Sequence, residues 1–324
     1  MTTKRTFIAT AAALIAGLAV SGASAQTWPG KPIRILVPST PGSAPDLIAR
    51  IMGDKLSRSL SQPVIVENRT GAGGLISMNQ LKQAPADGYT LTLMHGAVAA
   101  VTPFTYKEAT YDVVRDFEII GTVGMTPMLF VSNPAFPAKN LAEAIAVARA
   151  NPEKIALGSS VRGSIPNLTN ELLATRTGAK FQVVPFASSG QGIQATVGGD
   201  VPMFSDGVAP LIQLIKSGRL RALAVASETV LPGLEGIPLA NDTVPGFNVY
   251  GWFLMVAPKG TPKDIVTRLN KEVNDAIHLP DVVERFRHLG TYPRPGTVES
   301  AQQFVRSEIT LFGGIIKAAG IKPE

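Results

Sequence analysis

The chain has no cysteine and only three histidines among its 324 residues. Without thiols it has no disulfide, no zinc-thiolate site and no cysteine nucleophile. His95, His278 and His288 do not fall in an H-E-x-x-H or comparable ligand spacing, so no metal site is expected. There is no G-x-S-x-G elbow, and no Ser-His pair is visible that would support hydrolysis. His278 and His288 lie in polar segments that read as solvated surface, whereas His95 follows a strand end and has no evident partner. Basic residues are interspersed with acidic ones, so the stripe of positive charge expected of a nucleic-acid binder is missing. After the first 25 residues no apolar run is long enough to cross a bilayer.

What is present begins with Lys4 and Arg5, an apolar run from Phe7 to Val20, and Ala23-Ser24-Ala25 just before Gln26. The run is shorter than the ~20 residues of a membrane span, and the small residues match a signal-peptidase site. Residues 1–25 are therefore expected to be a cleaved secretory signal, placing the mature chain in the periplasm. The rest is long enough for two domains of about 150 residues each. The net charge of +6 drops once Lys4 and Arg5 are removed, leaving a mild general attraction for anions.

Beyond Trp28, expected to be an exposed lead-in, short β-branched runs alternate with helical segments. Ile33–Val37 reads as a buried strand. Asp46–Leu60 reads as a helix with Leu47, Ile48, Ile51, Met52 and Leu56 on one face, and Val64–Glu67 as the next strand. Gly71-Ala72-Gly73-Gly74 opens a second helix, and Thr90–Met94 is a third strand, giving a βαβαβ unit with a parallel sheet. The runs "FEIIGTVG" and "MLFVS" then follow one another with no helix between. βα units resume from Asn140, and "NVYGWFLMVAP" precedes three C-terminal helical segments. If the two apolar segments both cross between the same lobes, the last helices return to the first lobe, and the antiparallel crossings form a hinge beside a cleft. Trp252 and Phe253 are expected to pack the hinge core. The two lobes resemble each other only in their αβ rhythm.

Three strand-to-helix loops are rich in small polar residues: "PSTPGSAPD", "LGSSVRGSIPN" and "PFASSGQG". Each alone is most simply a capped turn. Together, at the carboxyl ends of strands on two lobes, they favour a ligand site. Hydroxyls and backbone N–H groups dominate them and Arg162 is their one cation, a chemistry suited to a carboxylate held by neutral donors. Asp46 reads as a first-turn acid favoured by the helix dipole. Asp206, at a strand end, either meets a ligand's ammonium or hydroxyl or caps the next helix. Gly190-Gln191-Gly192-Ile193-Gln194-Ala195 matches G-x-G-x-x-A, but the glycines come several residues after the strand end, so no nicotinamide site is expected. Gly71–Gly74 lacks the Gly-Lys-Ser/Thr of a phosphate loop.

"WPGKPIRILVPSTPGSAPDLIARIMGDKLSRSLSQPVIVENRTGAGG", "APADGYTLTL", "SGRLRALAVAS" and "GWFLMVAPKGTPKDIVTRLN" together resemble the Bug family of extracytoplasmic solute receptors, the binding proteins of tripartite tricarboxylate transporters. The resemblance spans essentially the whole mature chain. It implies an α/β, two-lobed type II periplasmic-binding-protein fold, with mixed parallel sheets joined by a two-strand hinge and a small carboxylate-bearing ligand in the cleft. The lobes are expected over 26–124 with 250–324, and over 125–249. The implied ligand-binding residues are Ser39, Thr40, Gly42, Ser43, Ala44 and Asp46 after the first strand, Ala72 and Gly73 in the Gly-rich loop, and Ser159, Ser160, Gly163 and Ser164 on the facing lobe. Ser188, Ser189 and Asp206 complete the second-lobe side. Three positions depart from the family pattern. Ser39 stands where an aromatic is usual, Asn167 where histidine is frequent, and Phe186-Ala187 where a Tyr-Lys pair is frequent. The losses imply a roomier, more neutral pocket suited to a larger or aromatic acid.

The resemblance thus implies a non-enzymatic, monomeric receptor without cofactor, metal or catalytic residues, handing a small organic carboxylate to the transporter's membrane components. The alternatives are a receptor that reports to a signalling partner and an exported α/β hydrolytic enzyme.

Overall fold

A computed structural model describes residues 28–323, so the expected signal segment lies outside the described residues. The first three strands are β1 (Ile33–Val37), β2 (Val64–Asn68) and β3 (Thr90–His95). They pair in parallel, with Ile33 opposite Val64 and Arg34 opposite Thr90. Ile33, Ile35, Leu36 and Val37 are all buried, as a central strand covered on both faces requires. The helix Ala44–Ser59 joins β1 to β2 and buries Ile48, Ile51, Met52 and Leu56, recurring at three- and four-residue steps. Each such side chain contributes roughly 1.5–3 kcal/mol on leaving water. Leu47 was expected on this face but is 38% exposed. One residue of helix is a rotation of about 100°, which carries Leu47 away from the stripe defined by Ile48.

The runs read as two apolar segments form one strand, β4, spanning Phe117–Ser132. Along Phe117–Pro127 it pairs antiparallel with β9 (Tyr250–Pro258). Along Met128–Ser132 its two edges pair antiparallel with β7 (Met203–Gly207) and β8 (Arg221–Ala226). β5 (Ala156–Ser159) is parallel to both β6 (Gln182–Pro185) and β7. The strand order is accordingly β2-β1-β3-β9-β4-β7-β5-β6, a mixed α/β arrangement in which β4 belongs to two sheets and so to two lobes. Pro127, which has no N–H to give a ladder, falls at the changeover. There Met128 N donates to Val249 O at 3.1 Å, joining the outgoing crossing to the returning one.

The C-terminal helices Lys263–Ile277, Pro280–His288 and Val298–Ala318 follow β9. Ile265, Leu269 and Val273 join Ile35, Ile48 and Val123 in one apolar cluster of the first lobe. The C-terminal segment also reaches the second lobe, a contact the sequence reading lacked. β10 (Tyr292–Pro293) pairs with β4, and the Tyr292 hydroxyl donates to Pro232 O at 2.9 Å. Trp252 is fully buried and Phe253 nearly so, as expected of the hinge core. Trp28 is half-buried rather than exposed, because its ring packs at 6.1 Å from that of Tyr89. No described helix is long and apolar enough to cross a membrane.

Candidate functional site

The loop after β1 turns on Gly42, whose φ of +78° lies in the left-handed region that glycine enters without a Cβ penalty. Ser43 follows in extended conformation, φ −71° and ψ 161°, and Pro45 starts the helix, where its missing N–H costs nothing. The Gly42 N–H donates to Asp46 Oδ2 at 2.9 Å. After β5 the chain repeats this construction. Gly163 has φ +75°, Ser164 has φ −71° and ψ 161°, Pro166 starts the helix Ile165–Thr177, and the Gly163 N–H donates to Asn167 Oδ1 at 2.9 Å. The shared pattern is Gly-Ser-x-Pro-(Asp/Asn), at 42–46 and at 163–167. The lobes therefore share more than a rhythm, because the same turn opens a helix in each.

The second turn and the loop that leads into the first border one cavity of about 550 Å³. Pro38, Ser39 and Thr40 line one side, and Val161, Arg162, Gly163 and Ser164 the facing side. Thr70 and the Gly71–Gly74 loop form a third wall. The first turn of each helix leaves backbone N–H groups without intrahelical partners, at the positive end of the dipole. A substituent at Gly73 would come within 2.6 Å of the Tyr106 ring, and Gly73 has φ +59°, so only glycine lets the tyrosine lie against this loop. Thr102 Oγ1 donates to Gly73 O at 2.8 Å and fixes the loop from below.

Asp46 is 2% exposed and does not line the cavity. Besides the Gly42 N–H, it accepts from Arg50 Nε at 3.0 Å and from Asn68 Nδ2 at 2.9 Å. Asn68 Nδ2 also donates to Ser39 O at 3.0 Å. Burial opposes ionisation of Asp46, but the hydrogen bonds from Arg50, Gly42 and Asn68 outweigh it and hold the carboxyl below its ordinary range. Its lone pairs are thus committed to shaping the turn. Asn167, also 2% exposed, has the same duty without charge, and its amide donates to Ser159 Oγ at 3.3 Å. Beneath it Ser205 Oγ donates to Asn170 Oδ1 at 2.6 Å.

Of the residues expected to bind ligand, Ser39, Thr40, Ala72, Gly73, Gly163 and Ser164 meet at the cavity. Gly42, Ser43, Ala44 and Asp46 follow the first rim in the chain and do not line the cavity. Ser159 is fully buried, and Ser160 Oγ lies 3.1 Å from Ser164 Oγ, one layer below the second rim. Ser188, Ser189 and Asp206 form a separate cluster on the second lobe. Ser188 Oγ accepts from Gln191 N at 3.3 Å and caps the helix Ser189–Gly198. Ser189 Oγ donates to Asp206 Oδ2 at 2.5 Å, while Asp206 Oδ1 accepts from Gly207 N at 2.7 Å. Burial raises the Asp206 pKa, opposed by these two bonds.

The walls also take residues outside the expected set, among them His95, Tyr106, Ile321 and Lys322. His95 ends β3, Tyr106 comes from the segment after it, and Ile321 and Lys322 follow the last helix. His95 is half-buried in the wall, and burial pushes its pKa down to about 4, so the imidazole is neutral at physiological pH. The repeated Gly-Ser-x-Pro pattern was a legible signal for the two rims; nothing local marks Lys322, which arrives only because the last helix returns. No group of His, Asp and Glu able to hold a metal occurs among the described residues.

Residues 48–321 match the family described as the tripartite tricarboxylate transporter family receptor, TctC. Protein BugT of Bordetella pertussis is 35% identical, over 98% of this chain and 96% of its own. An R. palustris protein solved with adipate has 30% identity and a TM-score of 0.76, over 92% of this chain and 100% of its own. MatC from Rhodopseudomonas palustris, solved with bound malate, has 27% identity and a TM-score of 0.72, over 89% and 100%. The two-lobed fold, the paired turns around one cavity and these likenesses agree, and the chain belongs to the TctC family of tripartite tricarboxylate transporter receptors, the Bug solute-binding proteins.

Proposed function

We propose that the protein is a periplasmic receptor, without catalytic activity of its own, that seats an organic carboxylate between its lobes and passes it to the membrane components of a tripartite tricarboxylate transporter. The observation that carries this reading is one cavity lined by the loop that leads into the first Gly-Ser-x-Pro turn, Pro38–Thr40, and by the facing turn at Gly163 and Ser164. Each helix start favours an anion by roughly 0.3–1 kcal/mol, rising to about 2 when partly buried. Ser39, Thr40, Ser164 and neutral His95 supply hydrogen-bonding groups around it, and Arg162 and Lys322 add positive charge. The adipate and malate in the R. palustris relatives support a carboxylate as the ligand class. In this reading the lobes are 26–124 with 250–324, and 125–249. They close about the connections near Gly121–Pro127 and Tyr250–Phe253, and the receptor acts as a monomer.

A thermal-shift screen of organic acids tests the proposal. An acid at about 100 times its dissociation constant adds about 2.7 kcal/mol of stability. Ser39→Trp restores an aromatic at the rim and narrows the cavity, so it should abolish the response to bulky acids first. If no organic acid raises the melting temperature, or if S39W responds like the wild type to every acid, this reading of the cleft is wrong.

A further inference from the structure

A second cavity, of about 440 Å³, opens at the hinge and shares no lining residue with the cleft. Met125 of β4 and Tyr250 of β9 line it, Glu228 comes from the second lobe, and Arg294, Phe304 and Glu308 come from the C-terminal segment. The Arg294 guanidinium stacks 3.9 Å from the Phe304 ring centre, and its Nε donates to Met125 Sδ at 3.1 Å. Among the described residues it makes no ion pair. Glu308, 9% exposed, accepts from Trp252 Nε1 at 2.9 Å and likewise has no cation in ion-pair contact. The pocket therefore holds a guanidinium and a carboxylate that are not paired with each other.

Opposite charges left apart around a polar cavity fit a ligand that carries both charges. A simple acid would satisfy Arg294 and leave Glu308 without a cation; a simple amine would do the reverse. Desolvating either group unpaired is costly, so a molecule that meets both is preferred over one that meets half. We propose that the hinge pocket is a second ligand site, selective for a small zwitterionic amino acid whose carboxylate meets Arg294 and whose ammonium meets Glu308 and Glu228.

The titration of Glu308 agrees with this assignment. Burial pushes its pKa up to about 7, against the lowering influence of the Trp252 N–H and of Arg294. Of the other groups facing the pocket, Tyr250 has its pKa raised by burial and stays neutral, and Glu228 is exposed. A bound ammonium favours the ionised carboxylate, so the zwitterion binds more tightly as the pH rises through about 7.

Trp252 supplies the readout, since its indole N–H touches Glu308, and Trp28→Phe leaves it as the sole tryptophan of the chain. Emission of that variant would be titrated with glycine, β-alanine and 4-aminobutyrate, which place their charges at increasing separation, and with propionate and propylamine, which carry one charge each. At least one zwitterion should give a saturable change, with the single-charge compounds about tenfold weaker or more. Arg294→Gln and Glu308→Gln should each cost a similar factor, and wild-type binding should weaken between about pH 8 and about pH 6. Cooperative melting identifies folded variants, and Arg294→Lys replaces R294Q if the latter does not melt cooperatively. Three results would overturn the proposal: no saturable response to any zwitterion by emission or calorimetry, a response untouched by both substitutions, or propionate binding as tightly as the best amino acid.

Discussion

The Gly163 N–H donates to the Asn167 side-chain oxygen at 2.9 Å, locking a left-handed turn one step before a helix begins. Asn167→Ala removes that acceptor and also the donor to buried Ser159. A buried polar group left unpaired costs about 1–3 kcal/mol, so the variant should lose stability of that order in urea unfolding. It should also bind any cleft acid more weakly, because the turn is no longer held. Unchanged affinity with lowered stability would show that the turn keeps its shape without the asparagine.

Glycines of this site separate into two kinds. Gly42 has φ +78° but open space where a Cβ would go, whereas Gly73 has φ +59° and would collide with Tyr106. Gly42→Ala should cost roughly 1–2 kcal/mol, the penalty for a left-handed alanine. Gly73→Ala carries the same backbone penalty plus displacement of the tyrosine ring, so its unfolding midpoint should fall further. Equal midpoints for the two variants would mean that Tyr106 moves aside freely.

Asp46→Asn tests the sign of an electrostatic contribution. The folded pKa of Asp46 lies below its ordinary 3.8, so the ionised carboxylate stabilises the fold above that value and the contribution disappears as the pH falls through the folded pKa. Stability of the wild type measured over this acid range should therefore drop by more than that of D46N. Parallel acid profiles would remove Asp46 from the account, leaving carboxylates such as Asp116, whose pKa Arg115 also holds low, to explain the decline.

These outcomes bear on how much the sequence discloses. Alternation of β-branched runs with amphipathic stretches was enough to place β1, β2, β3 and the helices between them, because those segments bury one continuous face. The rims were also legible, as the Gly-Ser-x-Pro pattern sets its own backbone locally. β4 reads in the sequence as two successive apolar runs, and only its pairing with β9 on one side of the changeover and with β7 and β8 on the other makes it one strand. His95, Tyr106 and Lys322 reach the cleft through tertiary placement, as does the contact of Tyr292 with Pro232. Periodicity carries no information about such meetings.

The last prediction concerns Glu308 and runs opposite to Asp46. Its pKa rises from an ordinary 4.5 to about 7 in the fold, chiefly because burial disfavours the charge. Below 4.5 the group is neutral in both states and costs nothing. Between 4.5 and about 7 the unfolded chain gives up the proton while the folded chain keeps it, so stability falls as the pH rises, and above that range the loss is complete. His95, whose folded pKa falls from 6.5 to about 4, adds a rise of opposite sign between those values, so the Glu308 decline is read as the difference between wild type and variant in urea unfolding between pH 4 and pH 8. Glu308→Gln retains an oxygen to accept from Trp252 Nε1 and cannot ionise, so its stability relative to the wild type should grow as the pH rises from 4.5 to about 7, and it should be the more stable protein at the alkaline end. Asp206, also raised by burial, adds a decline of the same sign that E308Q leaves in place, and the double variant E308Q with D206N separates the two. An E308Q profile that runs parallel to the wild type across this range would mean that Glu308 is ionised in the folded hinge.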